Sequence, residues 1–298
     1  MSRRYATVIR IASLSLPAFL GGCSRSLVLL HPDGPIGADE KTVILIALGL
    51  MLIVVVPVFL MTFFFAWHYR ASNKRATYAP KWAHSRKIEF VVWLVPALIV
   101  SSLGYLAWNT THELSPYRHL ASAQKPIHID AIALNWKWLF VYPKLHIATV
   151  NQIAFPVGTP VDFHLTSDTV MSAFFIPRLG SMIYAMPGML TKLNLEADKA
   201  GTYTGRNFQL SGNGYSWMKF KAIATSPEKF AAWVKKVKAA PRKLDATTLA
   251  ALEKPSIANR IAYYGSAPSG LFNQVVNQVM TDKPMTASAP SPRASHGG

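Results

Sequence analysis

Asn207, Gln209, Ser211, Tyr215 and Met218 fall within the short stretch NFQLSGNGYSWM, at intervals that suit a metal-binding loop. Their chemistry does not suit one. A transition metal that passes electrons needs soft thiolate and imidazole donors, and two amides, two hydroxyls and a thioether offer little beyond Met218. With Cys, Cys and His in place of Asn207, Ser211 and Tyr215, the same frame would be a copper loop. The sequence keeps the frame and lacks the ligands.

Other residues capable of chemistry are few. Glu89, in KIEFVVW, is the only acidic residue between Glu40 and Glu113. A carboxylate there is either hydrated or paired with Lys87, or it handles protons. The histidines include no HxxxH or HxH pair; His128, His146 and His164 fall on separate predicted segments and read as surface or structural. Trp136, Trp138, Phe140 and Tyr142 alternate along NWKWLFVY and read as packing against a sheet or a partner subunit. No nucleophile elbow, phosphate loop or pair of carboxylates stands out. Cys23 is the one cysteine, so no internal disulfide framework supports the fold.

The elements that position these residues follow from composition. Of 298 residues 51% are hydrophobic and only 15% charged, and the excess is concentrated in two runs before residue 110. Residues 1–22 have Arg3, Arg4 and Arg10, then an apolar core from Ile11 to Leu20, and read as a secretory signal. Its ending, Leu20-Gly21-Gly22-Cys23, resembles the bacterial lipobox, in which the cysteine thiol receives diacylglycerol. Residues 42–67 carry no charge and residues 88–108 carry only Glu89; both are long enough to cross a bilayer. The connector 68–87 holds Arg70, Lys74, Arg75, Lys81, Arg86 and Lys87 and no acid, which places it in the cytoplasm, with 23–41 and everything after about 110 outside.

After a polar linker, 109–125, short alternating runs from 126 to 225 predict an antiparallel sandwich or barrel. Residues 226–280 turn to a helical period, starting from a Ser226 cap and Pro227, and 281–298 are Pro/Ser/Ala-rich and expected to be disordered. The net charge of +17, from 31 Lys+Arg against 14 Asp+Glu, raises the question of nucleic acid. No helix-turn-helix, zinc finger or aromatic RNA-binding motif is present, so nucleic acid is excluded as a partner, which leaves an anionic membrane surface or an acidic neighbour.

This hairpin-plus-sandwich plan resembles subunit II of the haem–copper respiratory oxidases, whose exported domain is a cupredoxin. In members that oxidise cytochrome c, a two-copper centre uses a loop C-x-E-x-C-x-x-x-H-x-x-M and an upstream His in a V-x-H-S-F-x-x-P segment. The Cys positions fall on Asn207 and Ser211, the Glu on Gln209, the His on Tyr215, and the Met is kept as Met218. The upstream His position, in VMSAFFIP, is Ser172. Longer segments, GLMLIVVVPVFLM, YRASNK, FFIPRLGSMIYAMPGM and MKFKAIAT, resemble the quinol-oxidising bo-type branch.

The resemblance implies a two-helix transmembrane hairpin, a cupredoxin-like sandwich without copper ligands, and C-terminal helices. It implies a bacterial inner-membrane subunit with no cofactor of its own. Haems and one copper are expected in partner subunit I, with the other oxidase subunits and ubiquinol in the complex. It also implies that Glu89 lies at the mouth of a proton-uptake channel into subunit I. Two alternatives remain: a cytochrome c oxidase subunit II, and a membrane-tethered cupredoxin-like binding or assembly lipoprotein.

Overall fold

The computed structural model describes residues 28–77, 82, 84–118, 120, 122 and 124–282. Cys23, the signal segment and the residues beyond 282 lie outside the described residues. Helix α1 (Pro35–His68) opens on a proline, which is harmless in the first turn because that N–H has no partner within the helix. At 1.5 Å per residue α1 is about 50 Å long, well over the roughly 30 Å of a bilayer's hydrocarbon core. Helix α2 (Arg86–Glu113) runs back beside it, and both are long and apolar enough to cross a membrane. Pro57 and Pro96 lie inside these helices, where a membrane segment tolerates them.

The surplus length of α1 has a use. The helix starts at Pro35 rather than at the charge-free run from Thr42, and its first turn buries Ile36 and Gly37 against the β-domain. Asp33 just ahead of it bonds Arg178 at 2.5 Å and Lys199 at 3.2 Å. Glu40 accepts from the backbone N–H of Ser181 at 2.9 Å and its hydroxyl at 2.8 Å. Between these contacts sits Gly180, at φ +125, where a Cβ would come within 2.7 Å of Ile36. The segment PRLGS is therefore the socket into which the membrane hairpin is fastened.

The β-domain begins with β1 (Ile127–Leu134), β2 (Lys137–Tyr142), β3 (Ile147–Val150), β4 (Gln152–Pro156) and β5 (Val161–Ser167). It continues with β6 (Ser172–Ile176), β7 (Gly180–Ala185), β8 (Thr191–Leu195), β9 (Gly201–Asn207) and β10 (Lys219–Thr225). The remaining elements are α3 (Pro227–Lys238), α4 (Ala246–Glu253), β11 (Ala262–Tyr264) and α5 (Leu271–Asp282). Two sheets form, in the orders β11-β3-β2-β1-β5-β8 and β4-β10-β9-β6-β7. Most neighbours are antiparallel; β1 with β5 and β4 with β10 are parallel.

Between the sheets lies an aromatic core of Trp138, Phe140, Phe163, Phe174 and Phe220. Phe174 stacks on Phe220 at 5.0 Å and meets the edge of Trp138 at 5.2 Å. The alternating aromatics of NWKWLFVY thus divide: Trp138, Phe140 and Tyr142 pack inward, and Trp136 does not. The opposite face of β1 and β2 is also covered, because Ile132, Leu134, Leu139 and Val141 pack with Leu249, Leu271, Phe272 and Val275 of α4 and α5.

The stretch after residue 226 is not wholly helical, which corrects the expectation for 226–280. Its residues Ala262–Tyr264 add β11 to the edge of the first sheet, pairing Ala262 with Val150. Three residues are too few to display a period-2 pattern. The end of α4 is held by the β1–β2 turn. Lys137 Nζ donates to the carbonyls of Leu252 at 2.6 Å and Lys254 at 2.9 Å, and Asn135 donates to that of Glu253 at 2.8 Å. A buried cation at a helix C-terminus is well placed against the partial negative charge there, although burial lowers the pKa of Lys137.

Candidate functional site

The frame read from the sequence folds around one side chain. Asn207 ends β9, and only 5% of it is exposed. Its Oδ1 accepts the backbone N–H of Ala173 at 2.7 Å and that of Gln209 at 2.9 Å. Its Nδ2 donates to Ser211 Oγ at 3.0 Å and lies 3.5 Å from the sulfur of Met218. The Asn207 backbone N–H also donates to the Met218 carbonyl at 3.0 Å. All four hydrogen-bonding sites of the amide are used. The carboxamide links the upstream strand, the loop and the methionine.

Of the positions singled out in the sequence, Asn207, Ser211 and Met218 meet directly. Gln209 joins through its backbone N–H. Ser172 is buried beside Ala173, at the head of β6 next to β9. Tyr215 belongs to a single 3-10 turn, Tyr215–Trp217, and is 39% exposed, so its hydroxyl is not drawn into the cluster. Trp136 was not expected here. Held at φ +60 in the β1–β2 turn, it donates from Nε1 to the Ser211 carbonyl at 2.8 Å. Gly214 lies under the indole, where a Cβ would come within 2.4 Å of the ring. An amide, a hydroxyl and a thioether, already bonded to one another, do not fit a thiolate-bridged copper pair.

Glu89 is distant from this cluster. It lies in the first turn of α2, at the end away from the β-domain, with its side chain exposed. Among the described residues its carboxylate forms no ion pair with Lys87. His146 is exposed in a turn, at φ +56.

His128 and His164, read as belonging to separate segments, lie together, with ring centroids 4.1 Å apart. Hydrogen bonds donated to the Asp130 and Asp162 carboxylates raise the His128 pKa to about 9. Burial, helped by the charge on His128, lowers that of His164. The hydrogen bond from His128 lowers that of Asp162. The patterns HxH and HxxxH join like residues along one strand or helix. The pattern present, HxD on one strand and DxH on its neighbour, becomes visible only once the pairing is known.

Residues 98–224 match the family described as cytochrome c oxidase subunit II, periplasmic domain, and residues 238–283 match the COX aromatic rich motif. The cytochrome bo(3) ubiquinol oxidase subunit 2 of Pseudomonas putida is 51% identical over 93% of this chain and 87% of its own length. The ubiquinol oxidase subunit 2 of Acetobacter aceti is 48% identical over 93% of this chain and 92% of its own. The chain belongs to the ubiquinol oxidase subunit 2 family. A solved periplasmic domain of subunit II of cytochrome oxidase, from Bradyrhizobium japonicum, covers 37% of this chain and 91% of its own at 25% identity and a TM-score of 0.36.

Membership in this family makes the chain part of a haem–copper oxidase complex. For an oxidase subunit 2 the socket around Gly180 is significant. It joins the two apolar helices to a sandwich that matches the family's periplasmic domain. The C-terminal motif also has a structural role, because α4, β11 and α5 close the outer face of the first sheet.

Proposed function

We propose that this chain is a non-redox subunit of a quinol-oxidising complex in a bacterial inner membrane. It is anchored by lipid at Cys23 and crosses the bilayer twice, with its sandwich in the periplasm. The observation that carries the reading is the saturated Asn207 amide, which fills the position where a copper-bearing relative would place a thiolate. Electrons from a water-soluble cytochrome would need a metal relay at that place. Quinol dissolves in the bilayer and needs none, because it can reach partner subunit I, where haems and one copper are expected. The chain's contribution is to clamp its hairpin to the periplasmic domain, cover subunit I and offer Glu89 where protons are taken up.

The assembled complex tests this reading directly. Purified with its haem-bearing subunits, it is expected to oxidise ubiquinol and to leave reduced cytochrome c untouched. Thiolate-to-copper charge-transfer bands from this chain, or turnover with cytochrome c, would overturn it.

A further inference from the structure

The sequences IHID and VDFH are mirror images, and the parallel pairing of β1 with β5 lays one against the other. His128 stands opposite Asp162, and Asp130 opposite His164. All four side chains share the outer face of the first sheet, next to Phe272 of α5, whose ring lies 6.3 Å from that of His164. This cluster belongs neither to the Asn207 site nor to the membrane hairpin.

Its geometry is that of a coordination site. His128 Nδ1 lies 3.5 Å from Asp162 Oδ2, and His164 Nε2 lies 3.7 Å from the same oxygen. One ligand atom from each of the three residues falls within 4.8 Å of the others. A tetrahedral ion with bonds of about 2.0–2.1 Å sets its donors about 3.4 Å apart, so both measured edges are within a few tenths of an ångström of that shape.

Two further observations point the same way. Among the described residues, Asp162 Oδ1 is buried with no hydrogen-bond partner. His128 turns its other nitrogen, Nε2, to Asp130 Oδ1 at 2.9 Å. A carboxylate behind a ligating imidazole fixes its tautomer and orientation, and metal sites use this arrangement regularly.

We propose that His128, Asp162 and His164 bind one divalent ion of the zinc class, with Asp130 orienting His128 and water in the fourth position. Two imidazoles and one carboxylate favour such an ion over calcium or magnesium, which take oxygen donors. Both histidines keep about a fifth of their side chains exposed, 23% and 21%, which leaves the fourth position accessible to solvent. The proton is the competitor. Lys192, paired with His164 across β5 and β8, adds an opposing charge. An imidazole ligates only in its neutral form, so mildly alkaline buffer favours binding. Occupancy fastens the two strands on which the C-terminal helix packs.

The test uses the untagged full-length chain in detergent, stripped with a chelator. Zinc is titrated at pH 8 against a chromophoric competitor, and bound metal is counted by elemental analysis. The wild type is expected to take up one equivalent more than His164→Asn or Asp162→Asn. His146→Asn, at a left-handed position that asparagine tolerates, should match the wild type. Asp130→Asn should keep the equivalent with affinity weaker by about 10–100-fold. Zinc should raise the melting temperature of the wild type and not that of either ligand variant, each first shown to melt cooperatively. Failure of the wild type to exceed both ligand variants, or equal affinity in His164→Asn, overturns the proposal.

Discussion

The Nδ2 atom of Asn207 lies 3.5 Å from the sulfur of Met218, and no other side chain separates them. The amide holds the loop by hydrogen bonds. The loop from Ser211 to Met218 returns to this one buried point. Asn207→Ala would leave the Ala173 N–H buried without its acceptor and free Ser211 and Met218 together. A loss of about 2–4 kcal/mol is expected, from one unsatisfied donor and the lost bonds around it. Denaturant unfolding of the full-length chain measures it. Asn207→Asp, which keeps the acceptors and loses the donors, should fall between Asn207→Ala and the wild type.

Asp33 ties the hairpin to the sandwich. Its carboxylate is only 8% exposed, whereas Arg178 and Lys199 reach it from the solvent side at 46% and 71%. Asp33→Asn removes the charge that both cations face, at an expected cost of about 1–3 kcal/mol in docking. Amide hydrogen exchange in 33–41 and 176–181 should quicken in the variant, while exchange in the aromatic core should not change. Equal protection of the socket in both proteins would show that Ile36 and Glu40 suffice.

Asp168 follows β5, and burial raises its pKa; burial and the nearby Asp168 raise that of Glu253. The unfolded chain therefore gives up these protons at lower pH than the folded one. Stability contributed by the protonated carboxyls is present below the unfolded value and declines as pH rises through the folded value. Asp168→Asn should accordingly melt at a higher temperature than the wild type at neutral pH. The advantage should shrink as pH falls into the ordinary carboxylate range. A gain that persists unchanged in acid would point to packing and away from charge.

Much of this architecture could be read before any coordinates because its signals are long. Charge-free runs of spanning length, a basic connector and strands between Pro and Gly turns each repeat one physical rule many times. The sequence singled out Asn207, Ser211 and Met218 by their spacing, and these three side chains meet. What stayed hidden depends on partners far apart in sequence. Lys137 looks like an ordinary polar residue in an aromatic strand, yet it is buried against the end of α4, over a hundred residues away. Trp136 reads as one more alternating aromatic, but a left-handed turn swings it onto Ser211. The socket around Gly180 needs both Ile36 and the β6–β7 turn, and neither has meaning alone.

Glu89 provides the last prediction. Its carboxylate stands exposed in the first turn of α2, where the partial positive charge of a helix N-terminus favours an anion, and it has no ion-pair partner among the described residues. The proposed proton-entry role rests on this lone acid among the basic residues of the connector. Glu89→Ala should slow ubiquinol oxidation by the assembled complex while leaving subunit stoichiometry and haem content unchanged, because its side chain is exposed. Glu89→Asp, which keeps the carboxylate, should recover most of the rate. The deficit should widen as pH rises and protons grow scarce. Unchanged turnover of Glu89→Ala across the pH range would leave the residue as a hydrated surface acid with no part in proton uptake.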